Sequence, residues 1–465
     1  MKSLDRRDFL KKTSLTGAAL AVSPLSSLEA SLPIPEAPQG EYLGGFAAPP
    51  HQKIRLAFIG LGFRGGDHLS FAAGLEGTEI VAVSDLYKDN VEKWKSKAEE
   101  IGAGQRHKNV KIYHGGEEKW RLMLEEVKPD AVFIATNWEN HAPMVIASIK
   151  AGAHAFVEVP MATTLSDLWE IVDTAEKYQK HAMMMENVNY NRQELMFLNM
   201  CRQKVLGELL HAEAAYIHEL RWQMEHEERG TGFWRTHHYA KRNGNLYPTH
   251  GLGPVAQYMN IARTDDMFHS IVSFSTPALG RASFAEANYP EEHKWNTLDF
   301  KGGDLNTSII KTQLGRTIMV QWDETSPRPY SRLNLVQGTK GTLAGFPTRV
   351  ALEGGVEGIT KSHHRWVQGD DLAKVYQKYD HPLYKRLNEE AKGSGHGGMD
   401  GIMMYRIIEC LRNGWPLDQN VYEGALWSAV SPLSERSVMS GGAPQPFPDF
   451  TRGNWKTTKP LDIIT

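Results

Sequence analysis

A short apolar strand running straight into glycines constrains this chain more than any other feature. IRLAFIG is followed by LGFRGG, which places Gly60, Gly62 and Gly65 in the spacing G-x-G-x-x-G. A helical pattern opens near 64–73, and a second strand, EIVAVSD, ends on Asp85. Glycine spacing alone is weak evidence. A strand before it, a helix after it and an acid at the end of the next strand together predict a dinucleotide site. Gly60 permits the tight turn, Gly62 lets the backbone approach a pyrophosphate, and Gly65 lets helix and strand pack closely. The helix N-terminus then offers free N–H groups to the phosphates. Asp85 is placed to accept hydrogen bonds from the adenosine ribose and would repel a 2′-phosphate, so NAD is expected over NADP. Arg64, beside the turn, keeps a phosphate contact open and is counted among the cofactor residues.

Strands continue to alternate with helices. A helix is expected over 88–101, a strand at VKIY, a helix over 117–125, a strand at DAVFIAT and a helix over 141–150. HAFVEVP, a helix over 166–178 and HAMMMEN complete six strands. Such alternation predicts a doubly wound parallel sheet with right-handed crossovers. From about residue 190, segments such as AEAAYIHEL, HSIVSFSTP, TSIIKTQLG and TIMVQWDET carry strand and hairpin signals instead. The expected class is therefore α/β. A Rossmann domain spans 53–188, and an α/β domain with a large, mostly antiparallel sheet spans 189–465.

Ahead of both stands a charged start, MKSLDRRDFLKK, then a modest apolar stretch and a small-residue end, LEAS. That order predicts a secretory signal over 1–31, with Arg6 and Arg7 marking the twin-arginine route and cleavage near Ala30. The apolar stretch is too short to span a bilayer. Residues 32–52, rich in Pro and Gly, read as a linker. A periplasmic or secreted location is expected. No NAD(H) pool exists there to recycle a spent cofactor, so a carried NAD is useful when each turnover restores it.

Bulk properties exclude some classes. A formal net charge of -3 gives no reason to expect nucleic acid or an anionic membrane as partner. Cys201 and Cys410 are the only cysteines, too few for a disulfide framework or a cysteine metal site. The pairs His237-His238 and His363-His364 are adjacent in sequence, and adjacent side chains point apart, so no metal is expected.

At Glu158-Val159-Pro160 the chain resembles the glucose–fructose oxidoreductase and inositol dehydrogenase family, which has Glu-Lys-Pro after its fifth strand. In that family the lysine assists hydride transfer from a sugar hydroxyl, and Val159 stands in its place. A second family run, roughly G-G-x-x-x-D-x-G-x-H, is replaced by GNLYPTHGLGP, with Thr249 and Gly253 where its Asp and His would lie. GNLYPTHGLGP, with GLGFRGGDH, NWENH, EVP and HGGMD, resembles glycoside hydrolase family 109, exported NAD-carrying glycosidases whose characterised members cleave terminal α-linked N-acetylgalactosamine. The resemblance implies Tyr247 and His250 as catalytic. It implies Tyr216 and Arg235 as further substrate contacts, with Pro248 and Thr249 in the same run, while Tyr330, after SPRP, is expected to stack on or hydrogen-bond the sugar. Asn137, Trp138 and His141 after the fourth strand, Glu158 and Val159 after the fifth, and Asn187 after the sixth are expected at the cofactor. A homo-oligomer is also implied as possible.

A redox-neutral cleavage meets the recycling constraint. Oxidation of the sugar at C3 acidifies the C2 hydrogen, a base removes it, and the C1 group leaves by elimination. Water then adds at C1, C2 is reprotonated and C3 is reduced again. Such a route needs proton-transfer groups rather than the paired carboxylates of ordinary glycosidases. Tyr247 and His250, three residues apart, would share a face on one helical turn. Which of them is the base at C2 stays open. Two other readings are an exported oxidoreductase that couples two sugars, which Val159 opposes, and a non-catalytic sugar-binding protein that keeps NAD.

Overall fold

In the computed structural model the described residues are 40–102, 106–389 and 395–461; the Arg6-Arg7 signal lies outside them. The first sheet comprises β1 (Ile54–Ile59), β2 (Thr78–Ser84), β3 (Lys111–Tyr113), β4 (Ala131–Ile134), β5 (His154–Val157) and β6 (Ala182–Met184). All are parallel, in the order β3-β2-β1-β4-β5-β6. Every residue of β4, β5 and β6 is buried, which is why they read as unbroken apolar runs rather than alternating ones. Register brings Phe58, Phe133 and Phe156 side by side on three neighbouring strands, stacked at 5.0 and 4.9 Å. Stacked rings of this kind pin register, because a one-residue slip would turn each to the other face.

Five helices wind around this sheet: α1 (Phe63–Gly74), α2 (Lys88–Ile101), α3 (Lys119–Val127), α4 (Trp138–Lys150) and α5 (Leu165–Tyr178). Thr164 caps α5, its hydroxyl accepting from the Asp167 N–H at 3.2 Å. The Met399–Asn413 helix returns from late in the chain and buries Ile402, Met403, Ile407 and Leu411 in the core cluster that also holds Leu61, Leu69, Ala72 and Ala73.

The second sheet has nine strands: β7 (Leu209–Ile217), β8 (Phe268–Ser275), β9 (Leu305–Thr312), β10 (Thr317–Asp323), β11 (Leu335–Gly338), β12 (Gly341–Ala344), β13 (Arg349–Leu352), β14 (Val367–Gln368) and β15 (Gln445–Pro446). Its order is β14-β13-β12-β11-β7-β10-β9-β8-β15. Only β7 and β10 pair in parallel; the other neighbours are antiparallel. Three more helices matter for the site: α6 (Arg192–Arg202), α7 (Thr231–Lys241) and α8 (Thr249–Tyr258). Gly251 lets α8 lie against β7, because a Cβ there would stand 2.3 Å from the Ala215 nitrogen. No helix among the described residues is long and apolar enough to cross a membrane.

Candidate functional site

The carboxyl ends of the first sheet's strands line one edge, where ligands bind in open α/β sheets. Gly60 sits there at φ +82°, and a Cβ on it would meet the Ala135 carbonyl at 2.6 Å. A Cβ on Gly65 would fall 1.8 Å from the Gly60 carbonyl. Around Gly62 nothing lies within 4 Å of a hypothetical Cβ, so the loop leaves open space in front of the α1 N-terminus. Asp85 orders the loop: Oδ2 accepts from the Leu61 N–H at 2.6 Å and Oδ1 from the Tyr87 N–H at 2.9 Å. Each carboxylate oxygen keeps a second lone pair for a ribose hydroxyl. Further along the edge Asn187 donates to Asp400 at 2.7 Å, while its Oδ1 is buried without a partner among the described residues. An open cradle, a ribose-seeking acid and an orphaned amide oxygen fit NAD. Asp85→Ala is therefore expected to lower the NAD carried through purification, read from the nucleotide released on denaturation.

Arg64 points elsewhere than the open phosphate option. Its Nε donates to Glu158 at 2.9 Å, and its two terminal nitrogens donate to Asp400 at 2.8 and 3.1 Å. His68 adds a 2.7 Å contact to the same Glu158 oxygen, and His396 one of 2.7 Å to Asp400. Burial opposes ionisation of Glu158, but Arg64 and His68 outweigh it and hold the carboxyl well below the usual range. Asp400 is likewise held low against its burial by His396 and Arg64. Both stay ionised at neutral pH.

His141 is turned into backbone, with Nδ1 2.7 Å from the Pro160 carbonyl and Nε2 3.2 Å from that of Thr136. Burial pushes its pKa down, so a neutral ring donates to one carbonyl and ties the turn after β5 to α4. Asn137 precedes α4 and accepts from the Asn140 amide at 2.6 Å. Val159 is buried and apolar, so no side-chain proton can move at that position.

An aromatic cluster faces this edge from the second sheet. Tyr216 on β7 lies 4.7 Å from Tyr247 and 5.2 Å from His250, and the Tyr247 and His250 rings are 5.0 Å apart. The expectation of one shared helical turn needs correcting, because α8 begins at Thr249 and leaves Tyr247 in the preceding loop. Pro248, at the N-cap, brings the ring round to His250 from outside the helix. The Thr249 hydroxyl is buried without a partner among the described residues. The Arg235 guanidinium on α7 stands 4.9 Å from the Tyr247 ring centre and 5.2 Å from that of Trp138, a cation–π arrangement. Tyr330 completes the wall, 6.2 Å from Tyr216, its hydroxyl accepting from Arg332 at 2.8 Å. Burial raises the Tyr247 pKa even against the opposing Arg235 charge, so this phenol keeps its proton.

Four site residues escape sequence reasoning. Glu186, fully buried, accepts from His250 Nδ1 at 2.8 Å. His218 contacts the Tyr216 hydroxyl at 3.0 Å. Glu324 is buried behind Arg235, with 4.0 Å between them. Asp400 anchors Arg64. Glu186 offers one usable signal, an acid just past the apolar strand β6. α7 spans the crevice between the sheets: Arg229, just before it, lies over Tyr87 at 4.1 Å and bonds Asp89 at 3.0 Å. In the first turn of α7, Trp234 meets Trp138 at 5.0 Å.

Residues 54–186 match the oxidoreductase family with an NAD-binding Rossmann fold, and residues 190–457 match the family described as Glycosyl hydrolase 109, C-terminal domain. Glycosyl hydrolase family 109 protein 1 of Akkermansia muciniphila is 57% identical, over 99% of each chain. The chain belongs to glycosyl hydrolase family 109. A family 109 relative from Shewanella oneidensis, named alpha-N-acetylgalactosaminidase, is 50% identical over 100% of both chains. Among solved structures, levoglucosan dehydrogenase in complex with NADH and levoglucosan superposes with a TM-score of 0.61. It shares 16% identity and covers 85% of this chain and 100% of its own, so it bears on fold alone. As a family 109 member with this cradle, the protein is a glycoside hydrolase that acts on a glycan and uses NAD.

Proposed function

We propose that the protein removes terminal α-linked N-acetylgalactosamine from glycans by the redox-neutral route, after export by the twin-arginine pathway. The observation that carries the chemistry is the His250–Glu186 contact beside Tyr247. NAD, when bound, would supply hydride acceptance and return at C3 of the sugar, with the C3 hydroxyl proton released to solvent on oxidation and regained on reduction, and a solvent proton leaving with the C1 oxygen. The residues supply the proton chemistry at C2. Donating Nδ1–H to Glu186 leaves the lone pair of His250 on Nε2, where among the described residues no group bonds it. That nitrogen takes the C2 proton and later gives it back. Tyr247, protonated, donates a hydrogen bond rather than accepting a proton. Arg235, Tyr216 and Tyr330 enclose the sugar.

Glu158, held ionised by Arg64 and His68, lacks the proton that a general acid of an ordinary glycosidase must carry. This supports elimination over direct displacement. The substrate assignment draws on the name of the Shewanella relative. It is tested by purified protein without added cofactor on p-nitrophenyl α-N-acetylgalactosaminide and its β-anomer. Nitrophenol release from the α-anomer alone is expected, and release from neither would overturn the assignment. Export is tested by fractionating cells that carry the wild-type chain or the double variant Arg6→Lys, Arg7→Lys. Only the wild-type chain should reach the periplasm.

A further inference from the structure

We propose that Glu186 is a positioning residue for His250, fixing its tautomer and stabilising its protonated ring during turnover. Glu186 lies two residues past β6, fully buried, one residue before Asn187 at the cofactor edge. Its Oε1 accepts from His250 Nδ1 at 2.8 Å and from the Val188 N–H at 3.1 Å, while Oε2 is buried without a partner among the described residues. The Gln419 amide holds the Glu186 carbonyl at 3.0 Å, so the backbone behind the carboxylate is fixed as well. A buried carboxylate with spare acceptor capacity is costly unless it meets positive charge. His250 provides that charge only when it carries two protons, the state it enters after taking one from substrate.

The glycine at 253 belongs to the same device. A Cβ there would stand 2.9 Å from Glu186 Cγ, so any larger residue pushes the carboxylate away. The other groups around His250 do not compete for the role. Tyr216 and Tyr247 are raised by burial and stay neutral, and burial lowers His218, leaving it uncharged. Tyr330 is raised by burial as well, and the Arg235 cation sits over Tyr247.

The kinetic part rests on the glycosidase reading; the pairing does not. In holoenzyme carrying Glu186→Gln, NAD content and KM should stay near wild type. The value of kcat should fall about 100-fold or more, the scale of a lost proton-transfer group. The pH midpoint for diethylpyrocarbonate modification of His250, mapped by peptide mass spectrometry, should fall by about 1 unit as the carboxylate charge is lost. Glu186→Asp should restore the midpoint, and Gly253→Ala should move it as Glu186→Gln does. A wild-type midpoint in Glu186→Gln overturns the proposal, as does a kcat that falls only in proportion to lost NAD. If the wild-type enzyme releases no nitrophenol, the glycosidase reading fails while the His250 midpoint still decides the pairing.

Discussion

His250→Asn is expected to lower kcat on an α-N-acetylgalactosaminide by roughly 100- to 10,000-fold, the range for a removed general base. Asn keeps a donor that can reach Glu186, so the buried carboxylate retains a hydrogen bond and the fold should hold. It has no nitrogen that titrates near neutral pH. NAD content should be unchanged, because His250 lies on α8 and the cradle is built from the β1–α1 loop. Tyr247→Phe removes a hydrogen-bond donor and no base, and should cost less than His250→Asn. Steady-state kinetics with nucleotide quantification checks both. Equal losses in the two variants would mean that Tyr247 takes part in proton transfer after all.

The second large effect is on stability. Arg64→Met deletes the cation between two carboxylates, Asp400 with a fully buried side chain and Glu158 nearly so. Breaking a buried pair by removing one partner costs about 3–5 kcal/mol, because the remaining charges are left uncompensated. A fall in Tm at neutral pH is the expected readout. Its pH dependence has a definite sign. Both folded-state carboxyl pKa values lie below their unfolded values, so their stabilisation is present above about pH 4, the unfolded range, and lost as pH falls toward the folded pKa values. In Arg64→Met the same carboxyls face burial without the cation and can protonate. The Tm difference from wild type should therefore be widest at about pH 7 and narrow below about pH 5. A constant difference across that range would mean that the loss is one of packing.

Much of the first half was legible in the sequence because its strands are short, fully buried and separated by helices. The expected helix over 88–101 matches Lys88–Ile101, and the strand at VKIY matches β3. The second sheet was legible in kind but not in detail. The parallel β7–β10 pair joins segments about a hundred residues apart, and β14 and β15 are too short to show a period. In the site, the glycines, Asp85, Tyr247 and His250 carry local patterns. Glu186 does not, since it acquires its role from His250 far away in sequence; Asp400 ends the HGGMD run, but its role comes from Arg64 and Asn187, which the run does not show. Arg64 shows the converse. Beside a glycine turn it suggested a phosphate, and only the fold reveals the two carboxylates that occupy it.

The most direct measurement is turnover of p-nitrophenyl α-N-acetylgalactosaminide in deuterated water, with no NAD added and the product sugar examined by NMR. Nitrophenol release with deuterium at C2 is expected, because a C2 proton taken by His250 exchanges with solvent before it returns. Release with only protium at C2 would contradict oxidation and elimination and point to direct displacement at C1.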